Sequence, residues 1–367
     1  MEMKKLGFGC MRMPITNKED RTSFDVPHVE KMVDTFLENG FTYFDTAYMY
    51  HSNASETILK EVLVKRHPRE SFLLADKMPV FFLKEKAELE KYFDEQLEKT
   101  GAGYFDYYLL HGLSGSDIPM VRDFDIFGFC EQKKQEGKIR HLGFSFHDDA
   151  ETLDRILTEF PQAEFVQLQI NYLDWDNYRI QSRKCYEVAR KHDKPVVIME
   201  PVKGGTLAAI PDEAAKLFQN LQPGMSPASW AIRFAAGLEG VMVVLSGMSN
   251  IEQMEDNISF MKEFQPLTEE EKNTVFQAAE IIRASQIIPC TECRYCTDGC
   301  PVSIPIPDIF RVCNAEYKST GSTETYADVT KDTGKAKDCL ACGQCESMCP
   351  QHIGIIAELK KASEMFE

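Results

Sequence analysis

No uninterrupted apolar run in the 367 residues approaches the roughly 18 that a membrane span needs. The opening Met1 to Gly9 lacks the apolar core of a secretory leader, so no signal peptide is expected. Basic charge is in short supply: 41 Lys and Arg against 58 Asp and Glu leave a net charge of −17. That balance argues against nucleic-acid binding through phosphate contacts and favours solubility, while leaving a basic docking partner open. No G-x-G-x-x-G phosphate loop appears, and no tract is low-complexity. Cysteine is scarce along most of the chain, since eight of the 12 lie in two short runs, Cys290–Cys300 and Cys339–Cys349. A secreted disulfide scaffold is therefore not expected; an intracellular, cytoplasmic protein is.

What those eight cysteines form is the strongest feature present. Two strings, Cys290-Thr-Glu-Cys293-Arg-Tyr-Cys296-Thr-Asp-Gly-Cys300-Pro301 and Cys339-Leu-Ala-Cys342-Gly-Gln-Cys345-Glu-Ser-Met-Cys349-Pro350, both read C-x2-C-x2-C-x3-C-P. Three closely spaced thiolates on a loop cap three corners of an iron–sulfur cubane, and the fourth cysteine of such a run serves the other cluster. One 4Fe-4S cluster is assigned to Cys290, Cys293, Cys296 and Cys349, the second to Cys339, Cys342, Cys345 and Cys300. Zinc, which usually shows paired C-x2-C, and disulfides, which do not suit a reduced cytosol, are the competing readings.

Upstream, short apolar runs alternate with helix-length segments. Strands are expected at Leu6–Met11, Phe41–Ala47, Phe72–Lys77, Phe105–Leu110, His141–Phe146, Phe165–Ile170, Val196–Glu200 and Val241–Ser246. Eight such units predict a closed parallel (β/α)8 barrel of the TIM type rather than an open sheet. Amphipathic helices are expected at Val29–Leu37 and Ala87–Leu97, a Ser226-Pro227 helix start, and a capping box of Thr268 with Glu271 opening a helix to about Ser285. The expected organisation is a barrel over 1–265, a connecting helix over 266–286 and a two-cluster, ferredoxin-like domain over 287–367. That last domain is read as small and mostly helical, with helical spacing at Pro307–Tyr317 and Ile355–Met365 and a polar loop at Ser319–Lys337.

Barrel enzymes carry their chemistry at the C-terminal ends of the strands. Asp45 and Tyr50 follow the second strand in FDTAYMYHS, Lys77 ends the third, and His111 ends the fourth. Together they suit carbonyl reduction: Tyr50 supplies a proton, Lys77 held by Asp45 lowers the phenol's pKa, and His111 orients the carbonyl. Each type alone is also a common turn former, rim residue or loop hydrogen-bonder; four at the ends of three successive strands are harder to explain that way. His51 and His147 face either substrate or ordinary loop partners, and Trp175 either walls the pocket or packs. Cys10, Cys130, Cys185 and Cys313 read as small buried hydrophobes.

These residues resemble the aldo-keto reductase family, whose D-x4-Y, K and H tetrad matches Asp45, Tyr50, Lys77 and His111. The likeness extends to the opening LGFGCMRMP, to GFSFH at 143–147, to Gln167-x3-Asn171 and to GMSNIEQMEDN after the last strand. With its tail, the chain resembles that family's iron–sulfur-bearing branch. The resemblance implies NADPH or NADH as cofactor and a small carbonyl or alcohol as substrate. It implies that Ser145 and Gln167 hold the nicotinamide carboxamide, and that Ser246, Gly247 and Met248 approach the phosphates. It implies that Asn257 reaches the adenine end. Three positions depart from the pattern. Phe146 replaces a common Asn, Met199 stands where an aromatic ring stacks on the nicotinamide, and Gln253 stands where NADPH-preferring members place Arg. A 2′-phosphate without Arg or Lys binds poorly, so NADH use, dual use and loss of cofactor binding all stay open.

Three functions remain in view. The chain is a reductase whose clusters serve a redox partner such as a flavoprotein, or a reductase whose clusters are only structural. In the third, it is an electron-transfer protein with a non-catalytic barrel that docks on a flavoenzyme.

Overall fold

The computed structural model describes residues 3–17, 19–285, 288–297, 299–317 and 324–367. Eight parallel strands close into a barrel in chain order: β1 Leu6–Gly9, β2 Tyr43–Asp45, β3 Leu73–Met78, β4 Phe105–Leu113, β5 Ile139–Phe146, β6 Phe165–Gln169, β7 Val196–Met199 and β8 Val241–Ser246. The ring closes where Leu6 of β1 registers with Val244 of β8. All eight expected strands are present, with differences at their ends. β1 stops at Gly9 because Cys10–Arg12 wind into a 3-10 turn across the barrel mouth. β4 runs on to Leu113 through a register shift after Leu110, with Gly112 at φ +65. Such a bulge turns the strand and re-aims its neighbours, His111 among them.

Side chains alternate along each strand, so every second residue points inward. Tyr43, Ala75, Leu109, Phe165, Val197, Val243 and Leu245 fill the interior. Their bulk requires glycine opposite: a Cβ on Gly143 would lie 2.7 Å from the Phe165 ring. The outward residues pack on the surrounding helices. Helix Val26–Glu38 buries Val29, Met32, Val33 and Phe36, a stripe of helical period, against Phe8 and Phe44. Ser226 caps helix Pro227–Ala236 as expected, its side chain accepting from the Ser229 N–H. The Thr268 and Glu271 capping box also forms, with bonds of 3.2 and 2.7 Å, and opens helix Glu269–Ser285. Glu271 pairs in addition with Arg233 at 3.1 Å, which fastens this helix to the barrel wall.

The tail builds a second core from Ile288, Ile304, Ile306, Ile309, Phe310, Ile353, Ile355 and Leu359, with six of the motif cysteines in it or packed against it. Its long helices are Ile306–Tyr317 and Ile355–Phe366. The expected polar loop at Ser319–Lys337 is corrected in part. Residues 318–323 lie outside the described residues, but from Thr325 the chain is ordered by a capping box of Thr325 and Asp328 that starts helix Tyr326–Val329. The Tyr326 ring stacks on Phe366 at 4.9 Å and its hydroxyl accepts from the Ala336 N–H at 2.8 Å. Among the described residues, no helix is long and apolar enough to cross a membrane.

Candidate active site

The strand ends gather the expected tetrad at the C-terminal mouth. β2 ends on Asp45 and β3 carries Lys77 beside it, both buried. Lys77 Nζ donates to Asp45 Oδ1 at 2.6 Å, to the Thr46 carbonyl at 2.7 Å and to the Tyr50 hydroxyl at 3.5 Å. His111 stands edge-on to the Tyr50 ring with centroids 6.1 Å apart. Four residues from three strand ends thus form one cluster. The phenol's proton affinity runs opposite to the expectation from the ammonium alone. Burial, then the Asp45 carboxylate, push Tyr50 well above the usual tyrosine range, and only the Tyr295 hydroxyl opposes them. The physical reason is that Lys77 sits closer to Asp45 than to the phenol. Burial, with the Lys77 charge second, drives His111 well below the usual histidine range, so its imidazole is neutral.

Above this floor opens a cavity of about 530 Å³. Tyr50, Gln167, Met199, Ser246, Gly247, Met248, Gln253 and Asn257 all line it, so it runs from the tetrad to the end assigned to the nucleotide. Ser145 does not line it. Its hydroxyl is turned to accept from the Gly112 N–H at 2.8 Å, a consequence of the bulge in β4. Gln167 donates to Asp45 Oδ2 at 3.0 Å, and Asn257 to the Ser246 hydroxyl at 2.8 Å. Gln253 accepts from the Ser249 N–H at 2.8 Å, at the start of helix Ile251–Met261. Glu252 and Asp256 share this wall, and Arg12 is the one Arg or Lys among the described lining residues.

Of the remaining candidates, His147 lines the cavity, and burial followed by the nearby His352 pushes it down to about 4. His51 is held away from it, with Nδ1 2.9 Å from the Arg21 carbonyl and its ring against Phe24. Trp175 packs edge-on to Phe234 at 5.5 Å. Cys10 is fully buried and burial raises its thiol pKa, as befits a hydrophobe.

The eight motif cysteines gather in two cages. Cys290, Cys293, Cys296 and Cys349 wall one, with Phe310, Ile353 and Ile355; Cys300, Cys339, Cys342 and Cys345 wall the other, with Val302, Ile304 and Leu359. Ile306 belongs to both walls. This is the crossed grouping expected from the spacing. All the cysteines are unpaired. They surround cavities rather than converging on a point: among the described residues, no three His, Cys, Asp or Glu are close enough to hold one ion. Thiols spread round an apolar cage fit a multi-iron cluster better than a single zinc.

Motif spacing did not reveal that the tail lies on the barrel mouth. Arg12 donates to the Thr291 carbonyl at 2.9 Å, and His352 Nε2 lies 3.0 Å from the His147 carbonyl. Buried Lys203 bridges Asp174, at 2.8 and 2.6 Å, to Gln351 at 2.6 Å. Gly204, at φ +62, lets the backbones close, since a Cβ there would meet Thr291 O at 2.7 Å. Cys293, Tyr295 and Pro350 thereby join the cavity wall. So does Glu200, at φ +57, whose Oε2 has no hydrogen-bond partner among the described residues and whose carboxyl is pushed up by burial. The available signals were an aromatic residue between two cluster ligands and the Lys-Gly-Gly turn after β7; neither marks a site by itself.

Comparison with known proteins is consistent with both halves. The profile of the "Aldo/keto reductase family" matches residues 5–280, and that of the "4Fe-4S dicluster domain" matches residues 289–354. The "Uncharacterized oxidoreductase YqkF" of Bacillus subtilis is 24% identical over 302 residues, covering 74% of this chain and 91% of that protein. "Probable aldo-keto reductase 1" of Glycine max is 29% identical over 152 residues, covering 39% of this chain and 42% of its own. Among solved structures, the holo form of aldo-keto reductase AKR11C1 from Bacillus halodurans superposes with a TM-score of 0.59 at 25% identity, over 75% of this chain and 91% of that one. An aldo/keto reductase from Klebsiella pneumoniae, solved with NADP and acetate, gives 0.59 at 19% identity, over 76% and 92%.

Proposed function

The chain belongs to the aldo/keto reductase family and carries a 4Fe-4S dicluster domain, and from that premise we propose that it interconverts a small carbonyl compound and its alcohol with a nicotinamide dinucleotide. The observation that carries this reading is the Lys77–Asp45–Tyr50 contact at the floor of a cavity reaching to Asn257. A bound reduced nicotinamide supplies the hydride that the carbonyl carbon accepts. Tyr50 holds the proton that the carbonyl oxygen takes up, and its raised pKa keeps that proton on the phenol at neutral pH. Lys77, fixed by Asp45, stabilises the phenolate left behind, and neutral His111 donates a hydrogen bond to the same oxygen. Gln167 and Met199 hold the nicotinamide end, the Ser246–Met248 backbone the phosphates, and Gln253 with Asn257 the adenosine end; Ser145 acts behind Gly112 rather than on the cavity wall.

The clusters, held by the two cysteine cages, supply one-electron chemistry, and we assign them to exchange with a redox partner rather than to a purely structural role. Cys293 supports this, since it belongs at once to a cluster cage and to the wall of the Tyr50 cavity. The test is anaerobic reconstitution followed by NADH titration, with cluster absorbance and carbonyl turnover read together. Turnover of a carbonyl panel that disappears in Tyr50→Phe, with nucleotide affinity retained, is the expected result. Wild-type protein that neither oxidises NADH with any carbonyl nor bleaches its clusters would overturn the reading.

A further inference from the structure

The cavity wall opposite Tyr50 comes from the tail. Tyr295 lies between Cys293 and Cys296, two ligands of one cage, so its backbone is fixed on both sides by the loop that holds the cluster. That loop is pinned from two further directions. Arg294 makes a two-pronged contact with Asp308, at 2.9 and 2.8 Å, within the tail. Thr291 accepts from Arg12 of the barrel and lies against Gly204. From this preset position the phenol reaches into the cavity and faces Tyr50. Its hydroxyl lies 3.9 Å from Met11 Sδ, a thioether and a weak acceptor, and beside the Tyr50 phenol, whose proton affinity it lowers by hydrogen bonding. A hydroxyl held between a weak acceptor and the Tyr50 phenol is placed to bond an oxygen that enters between the two rings, and the cost of ordering it has already been met by the loop.

Resting on the carbonyl-reductase reading, we propose that Tyr295 is a substrate-positioning residue that donates a hydrogen bond to an oxygen of the carbonyl compound held against Tyr50. Recognition of the carbonyl is then a property of two domains together. The barrel supplies the proton donor, and the cysteine loop supplies the second phenol. Substrate affinity depends on an intact loop, whereas the nucleotide end, built from barrel residues, does not.

The test compares 4-nitrobenzaldehyde with 4-nitrostyrene, which has a similar shape but no carbonyl oxygen, as ligands of the full-length, reconstituted protein. Dissociation constants are measured for wild type, Tyr295→Phe and Tyr295→His, with iron and sulfide content and NADH affinity determined on each. Wild type is expected to favour the aldehyde. Tyr295→Phe should lose about 5- to 10-fold of that preference, the scale of one neutral hydrogen bond, with NADH affinity and iron unchanged. A packing role would weaken both probes alike and leave their ratio intact. Tyr295→His, which returns a donor, should recover part of the preference and gives the same comparison if the phenylalanine variant loads less iron. An unchanged ratio in Tyr295→Phe, or a wild type that binds both probes equally, overturns the proposal. Absent turnover in a wild type that still favours the aldehyde, with that preference lost in Tyr295→Phe, would instead overturn the reductase reading and leave Tyr295 in place.

Discussion

Lys77 is bound first to Asp45: Nζ stands 2.6 Å from the carboxylate and 3.5 Å from the Tyr50 hydroxyl. With the ammonium so matched, burial decides the phenol's proton affinity, which rises. A donor works while protonated, so a raised pKa extends activity toward alkaline pH. The rate of carbonyl reduction should show no Tyr50 limb below about pH 10, the value for free tyrosine. A fall centred near pH 8 that moves on changing Lys77 would contradict this. So would a titrating phenol seen there by ultraviolet difference absorbance.

The same pair is nearly inaccessible, with side chains 1% and 3% exposed, so neither charge has water to fall back on. Lys77→Met should leave Asp45 with Gln167 as its remaining side-chain partner and cost about 3–5 kcal/mol of stability, measured by denaturant unfolding. Lys77→Met with Asp45→Asn should recover much of that loss without recovering turnover.

At the nucleotide end, Glu252 and Asp256 share a wall with Gln253 and face no Arg or Lys from that helix. NADH should bind at least about tenfold more tightly than NADPH, the loss expected when a phosphate lacks a charge-assisted partner. Gln253→Arg should narrow the gap by improving NADPH, as read by fluorescence titration.

The crossed cages make a counter-intuitive genetic prediction. Cys349→Ser, although in the second run, should abolish the cluster that Cys290→Ser abolishes, whereas Cys300→Ser should abolish the other. Paramagnetic resonance of the reduced protein separates the two signals. Matching spectra for Cys349→Ser and Cys345→Ser would rule out the grouping.

Behind Lys77 lies a buried pair of carboxyls. Asp76 and Glu56 are both fully enclosed, and burial pushes both up, Asp76 the further, with the other carboxyl as its next cause. Gln96 donates to Glu56 at 3.0 Å, and Lys99 lies 3.3 Å from it. A carboxyl raised on folding contributes stability that is full below its unfolded pKa of about 4 and is lost as pH climbs toward the folded value. Asp76→Asn, which cannot lose a proton, should therefore gain in melting temperature relative to wild type between pH 5 and pH 9. A constant difference across that range would show that Asp76 does not titrate there.

The sequence was legible where pattern and chemistry repeat. Alternating apolar runs located every strand, because a barrel strand must bury both faces, and C-x2-C-x2-C-x3-C-P gave the grouping of cysteines that walls the two cages, because thiol reach is local. The Asp45–Lys77–Tyr50 contact was legible because register between neighbouring strands brings consecutive strand ends together. The bond that the Ser145 hydroxyl accepts from Gly112 was not legible, since it depends on a bulge one strand away. The Tyr50 proton affinity was misjudged because burial, which a sequence does not display, outweighs a neighbouring cation. Tyr295, Lys203 and Gln351 were invisible as site residues because they meet across two domains, and no periodicity links loops so far apart in the chain.

Each cage takes its fourth sulfur from the opposite run, and Ile306 walls both. Deleting either run would consequently dismantle the two of them. The two cages are therefore one cooperative unit, and a truncation that spares a whole run still leaves neither with its full set of four sulfurs.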